Sequence, residues 1–459
     1  MSKDTLFKEF DAVSLKAWKQ QIQVDLKGAD YNKTLVWDTP DGIKVKPIYH
    51  ADDLEKSKPL DIPPTSSWNI GQQIFASESK KANKKAIDAI KRGAESLVLI
   101  IPNESLKIEE LLKDINLVQI PVFLELRFLS FEYIKKVDTL AYNSKANVFL
   151  NIDIIGNLAR TGNWFMSMEQ DHAVLDQILR ENKACHVFGI DTTLYQNAGA
   201  NRVQQLAYAM AQANEYLNHL RSSKQSYPAK FNVMIAVDTD YFFEIAKIRS
   251  FKLLWNALMA EYDADIDCQI TAVPTKRNKT VYDYNVNLLR TTTECMAAVL
   301  GGAHTVCNTA YDSIYHKDNE FGERIARNQL LILKGESYFD KVSNPANGSY
   351  YIEDLTRQLA EKALLLFKEI EKNGGFLKHL KAHTIQRKIK ETSLKEAKRF
   401  EEGSTVLVGS NKFMNDQDKM KDEMELYPFV KTKARKTLIE PIIEKRLTEA
   451  LEQKRLDHE

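Results

Sequence analysis

Short runs of β-branched and aliphatic residues recur along the middle of the chain, each followed by a stretch whose apolar positions fall three and four residues apart. Parallel strands joined by crossover helices produce that alternation. The pattern predicts strands at 96–101 (SLVLII), 121–126 (PVFLEL), 147–152 (NVFLNI), 186–190 (HVFGI), 232–237 (NVMIAV), 268–273 (CQITAV) and 304–308 (HTVCN), with a weak eighth at 342–349. Eight is the number that closes a (β/α)8 barrel, and the count favours that α/β fold over an open doubly wound sheet with the same alternation. Stretches such as RVQQLAYAMAQANEYLNHL and FFEIAKIRSFKLLWNALMAEY carry the apolar stripe needed to cover a barrel from outside.

Two extensions flank that core. Residues 1–70 begin as an amphipathic helix and continue through KPIYHADDLEKSKPLDIPP, whose prolines predict an extended arm suited to wrapping a partner. The barrel is expected over 71–376. Residues 377–459 read as a charged, mostly helical extension interrupted around LVGSNKF and NDQDKMKDEMELYPF.

Composition narrows the setting. Lys plus Arg number 64 against 63 Asp plus Glu, so no net field draws the chain to nucleic acid or to an anionic membrane. The N-terminus breaks its apolar residues with charges, unlike a secretory signal. The longest uniformly apolar run, near 97–101, is far short of the ~20 residues that cross a bilayer. A cytoplasmic location is expected. Cys185, Cys268, Cys295 and Cys307 show no CxxC spacing and are expected as buried thiols of a reducing compartment, not zinc ligands.

In β/α barrels the reactive groups project from the carboxyl ends of the strands. Asp153, Asp191 and Asp238 follow three such strands, where converging carboxylates would bind a hard cation or move protons. The commoner role of Asp at a strand end is to turn the chain and cap the next helix. The basic run Lys276 to Lys279 would meet phosphates, although such runs are usually solvated loops; NAGAN (197–201) reads as a turn and helix cap. His304 and His316 are expected as hydrogen-bonded barrel histidines, and Arg290 as a structural contact. No nucleophile-elbow, Walker, dinucleotide or H-E-x-x-H motif occurs.

The stretch from Asp283 to Phe376, with RTT, AAVLGG, RIARNQ, DKVSNPANGSYYIE and NGGF, and the upstream YFFEIAKIRSFKLLW, resemble the barrel domain of the adenosylcobalamin-dependent acyl-CoA mutases, above all methylmalonyl-CoA mutase. The likeness runs with gaps from about Ser67 to the region of Lys412. It implies a barrel that encases an acyl-CoA along its axis, and a separate domain that carries cobalamin over the mouth. That domain's D-x-H-x-x-G signature is missing here, since none of the nine histidines has that setting.

Against the family's GYHMQEAGA this chain reads TTLYQNAGA, which puts Leu194 in place of the histidine that hydrogen-bonds the thioester. The family's catalytic Gln aligns with Ile155, the Arg that follows it falls near Trp164 and Phe165, and Gln73 stands in place of a substrate-stacking Tyr. Leucine cannot donate or relay a proton, a loss of ~10²–10⁴ in rate. The resemblance therefore implies a non-catalytic subunit with no catalytic, cofactor or metal residues of its own. It would pair with a larger homologous subunit that holds adenosylcobalamin. Gln196 and Asn287 match family polar positions, so with Asp153, Asp191 and Asp238 they outline an expected residual acyl-CoA cavity. Two rival readings remain: an independent barrel enzyme using the strand-end carboxylates, metal-dependent or not, and a transient cobalamin-loading factor.

Overall fold

Asn69 to Gly71 pair with Thr305 to Cys307, and this contact closes the barrel. The computed structural model describes residues 9–11, 13–54, 60–65, 67–431 and 434–459. Its barrel strands are β1 (Asn69–Phe75), β2 (Ser96–Ile101), β3 (Val122–Leu126), β4 (Val148–Ile152), β5 (His186–Asp191), β6 (Lys230–Val237), β7 (Asp267–Pro274) and β8 (Thr305–Cys307). They pair in parallel in sequence order and return from β8 to β1. The chain is a (β/α)8 barrel, as the alternation predicted.

One strand differs from expectation. Residues 342–349 form turns, with Asn344 and Gly348 at positive φ. Arg249 clasps that turn, donating to Asn344 Oδ1 at 2.6 Å and Asn347 Oδ1 at 3.1 Å. The missing strand is β1, whose NIGQQIF carries no run of β-branched residues because its polar members have particular partners. A Cβ on Gly71 would lie 2.1 Å from Cys307 Sγ, and Gln72 accepts from Arg327 at 2.8 Å. The barrel accordingly begins at 69, slightly ahead of the expected boundary.

Alternation along each strand sorts two cores. Leu97, Leu99, Val122, Leu124, Val148 and Leu150 face outward and pack under the helices. Val98, Phe123, Phe149 and Cys307 face inward and form a separate cluster in the bore, with Val273 against it. Helices Arg202–Ser222 and Tyr241–Tyr262 lie between the strands and a further helix, Tyr350–Lys372, so both are buried on most sides.

The arm divides in two. Its ribbon of Trp37–Asp38 and Lys44–Val45 lies on this chain's own barrel: Asp41 accepts from Arg202 at 2.7 Å, and Arg202 also reaches Glu244 at 2.6 Å. Helix Leu15–Asp25 has no buried residue, and Val24 on it is 71% exposed. Residues 1–8, 12, 55–59 and 66 of the expected arm lie outside the described residues, as do 432 and 433 of the tail. The C-terminal extension is helical at Phe376–Lys381, Thr384–Glu401 and Glu449–Leu456 and irregular between the last two.

Candidate functional site

The bore is filled below its mouth. Phe123 and Phe149, neighbours on β3 and β4, stack with centroids 4.6 Å apart and planes 14° apart. His186 lies against the far side of Phe149 at 4.5 Å. Above this plug a chamber of about 70 Å³ remains, lined by Glu125, Asn151, Asp153, Arg160, Asp191 and Asn232 among others. Asn151 sits there at φ 46, at the irregularity between β4 and β5, and Gly189 makes room for it: a Cβ on Gly189 would come 2.5 Å from Asn151 Cα.

Each strand-end aspartate is engaged by the protein. Asp153 caps helix Ile154–Thr161 by accepting from the Gly156 N–H at 2.8 Å, and also accepts from Tyr216 Oη at 2.7 Å and Gln212 Nε2 at 2.6 Å. Burial pushes its pKa up, against those donors. Asp191 accepts from Arg160 Nη2 at 2.5 Å and from the Thr193 N–H at 3.0 Å. Asp238 accepts from Gln196 Nε2 at 3.0 Å and Asn278 Nδ2 at 2.7 Å. Burial opposes its ionisation most, but Arg202, the Thr239 N–H and Lys279 together hold its pKa below the usual value. Among the described residues no three His, Cys, Asp or Glu side chains are grouped to hold a metal ion.

The other expected residues are placed as follows. Leu194 and Ile155 are buried, Ile155 donating its N–H to Tyr216 Oη at 3.0 Å. Gln73 is half-buried at the rim. Asn287 lies outside the chamber and ties the loop after β7 to helix Val286–Gly301, donating to Thr280 O at 2.9 Å. Arg290 makes the structural contacts expected of it, including Val408 O at 2.6 Å. His304 precedes β8 at the opposite end of the barrel, and its Nδ1 accepts from the Ile270 N–H. Asn201 caps helix Arg202–Ser222 in a reciprocal capping box, as the NAGAN reading expected.

One expectation needs correction. The basic run after β7 is not a solvated loop: Arg277 pairs with Glu396 at 2.6 Å and Lys279 with Glu294 at 2.8 Å, and only Lys276 is exposed. The mouth itself is charged, with Arg160 between Asp191 and Glu444. Burial works against its charge, but Asp191, Glu444 and Glu125 raise its pKa above the ordinary value. Arg160 lies seven residues after the cap Asp153, two helical turns that return it to the same face, a spacing the sequence displays. Glu125, whose pKa burial raises, and Glu444 have no comparable local signal.

Glu444 belongs to a strap that crosses the mouth. Ile442 N–H donates to Ala159 O at 2.8 Å, Lys445 N–H to Asn197 O at 3.0 Å and Leu447 N–H to Arg277 O at 2.8 Å, so the tail is tied to loops after β4, β5 and β7. Gly162 lets it pass closely, since a Cβ there would meet Ile439 O at 2.6 Å. No histidine lines the mouth among the described residues.

A β/α barrel with a plugged bore and an ion-paired, strapped mouth is the class that fold and site define. The sequence profile of methylmalonyl-CoA mutase matches residues 103–457. The chain is 31% identical to the methylmalonyl-CoA mutase small subunit of Porphyromonas gingivalis, over 92% of this chain and 73% of that protein. It is 27% identical to the methylmalonyl-CoA mutase of Cereibacter sphaeroides, over 87% of this chain and 64% of the relative, and 26% identical to the small subunit of Propionibacterium freudenreichii subsp. shermanii, over 85% and 67%. The chain belongs to the methylmalonyl-CoA mutase family.

Proposed function

We propose that this chain is the small, non-catalytic subunit of a heterodimeric methylmalonyl-CoA mutase, paired with a larger homologous subunit that binds adenosylcobalamin and the acyl-CoA. The observation that carries the reading is the Phe123–Phe149 stack with Val98 and Cys307 in the bore. A bore filled by these side chains leaves no path along the axis for a pantetheine chain. Leu194 removes the thioester donor, and Arg160 is already neutralised by Asp191 and Glu444. Among the described residues the mouth offers no imidazole to serve as a lower cobalt ligand, so its lining does not fit cobalamin.

Two relatives named as small subunits support the pairing. Helix Leu15–Asp25, with Leu15, Trp18 and Ile22 only half covered at three- and four-residue spacing, is the segment of the arm left to grip the partner. Within the bore the family's cavity is reduced to the small chamber above the plug, and a separate pocket of about 390 Å³ lies at the rim beside Gln73, Thr275 and Arg446. The rival barrel-enzyme reading asks Asp153, Asp191 and Asp238 for chemistry, although protein donors already engage each of them. Equilibrium dialysis of the isolated chain against labelled coenzyme A tests the proposal. No uptake is expected, and saturable one-to-one binding would overturn it.

A further inference from the structure

At the end of the barrel opposite the mouth, a pocket of about 410 Å³ opens between helix Tyr241–Tyr262, the start of β7 and the arm prolines Pro63 and Pro64. Lys252, only 6% exposed, forms part of its wall beside Trp255 and Met259. No carboxylate among the described residues pairs with its ammonium: Asp267 in the same lining pairs with Lys230 at 3.6 Å, and Asp265 is exposed. Two acceptors hold it instead. Nζ donates to Thr65 Oγ1 at 2.6 Å and to Pro63 O at 3.3 Å, while the Thr65 hydroxyl gives its own proton to Gly302 O at 2.8 Å. Neither contact can therefore donate to the nitrogen. When the ammonium loses its third proton, the lone pair takes the tetrahedral position that no hydrogen bond to a described residue engages.

That proton is loosely held. Burial pushes the pKa of Lys252 down to about 8, with Cys268 opposing the shift and Arg249 on the same helix adding to it. Roughly a quarter of such amines are free at pH 7.5, against about a thousandth for an ordinary lysine. His304 lines the same pocket, and because its Nδ1 accepts from the Ile270 N–H at 3.0 Å, the ring's proton resides on Nε2. Burial, Lys252 and Lys230 keep that ring neutral, at a pKa of about 3. We propose that Lys252 is a covalent acylation site for a short acyl thioester. The amine attacks the carbonyl carbon and the carbon–sulfur bond breaks; the departing thiolate takes up the proton that the nitrogen loses, and an amide remains. The choice of donor rests on the mutase reading above.

The test incubates the full chain with succinyl-CoA, acetyl-CoA or acetyl phosphate and follows each lysine by mass spectrometry as pH is raised. Lys252 should acylate about tenfold or more faster than the exposed Lys84 and Lys224 at pH 7.5, and its rate should bend over at about pH 8 while theirs keeps rising. Lys252→Arg, with an unchanged melting temperature, should lose the fast-reacting site; a fast phase that survives there would place the reaction on another residue. Lys252 left unmodified while the exposed lysines react, or a rate that climbs like theirs, refutes the site. Modification by acetyl phosphate and by neither thioester refutes the donor class. Labelling of Lys252 that free coenzyme A blocks saturably would overturn the proposed function and leave Lys252 as the acceptor.

Discussion

Arg160 donates to Asp191 Oδ2 at 2.5 Å while its Nη1 lies 3.3 Å from Glu444, so one guanidinium joins the end of β5 to the C-terminal strap. Arg160→Leu would leave two carboxylates facing Glu125 without their cation. Loss of charged hydrogen bonds of this kind costs about 1.5–3 kcal/mol. Hydrogen exchange should show the Leu438, Ile439, Ile442 and Lys445 amides losing protection while the barrel strands keep theirs; equal protection in the variant would mean the ion pairs do not hold the strap.

The plug should behave as close-packed core. Phe149→Ala removes a ring stacked between Phe123 and His186, and truncations of this type cost about 3–5 kcal/mol. Denaturant unfolding measures the loss, and a change below about 1 kcal/mol would show a bore that was never well packed.

Arg202 is buried among Asp41, Asp240 and Glu244 and fixes the N-terminal ribbon to the barrel. Arg202→Met strands buried carboxylates, a change that typically costs about 3–5 kcal/mol. Limited proteolysis should then cut between residues 37 and 54 in the variant and spare the wild type.

Glu371 supplies a pH signature. Burial and the neighbouring Glu215 push its pKa up to about 7 from 4.5. The folded state thus holds the proton more tightly than the unfolded chain, and the stability this confers is full below pH 4.5 and lost as pH rises through 7. Glu371→Gln should be more stable than wild type at pH 8, with the advantage vanishing at pH 5. A constant difference across that range would place the effect elsewhere.

Seven of the eight strands were legible because each carries a run of β-branched or aliphatic residues buried on both faces. β1 was hidden because its middle is Gly71, Gln72 and Gln73, with Gly71 in close approach to Cys307 in the bore and Gln72 turned outward to Arg327. In the site, the helix-capping role of Asp153 and the capping box at Asn201 were local and therefore readable. Pairings made over long sequence separations, such as Arg277 with Glu396 and Arg160 with Glu444, leave no periodic trace, so a basic run looked solvated and the ion pairs of the mouth were not legible.

The most direct measurement of the central claim is mutase turnover with adenosylcobalamin and methylmalonyl-CoA, using this chain alone, the large subunit alone and the two together. The account predicts no succinyl-CoA from this chain alone and sustained turnover from the pair. Sustained conversion by this chain by itself would contradict it.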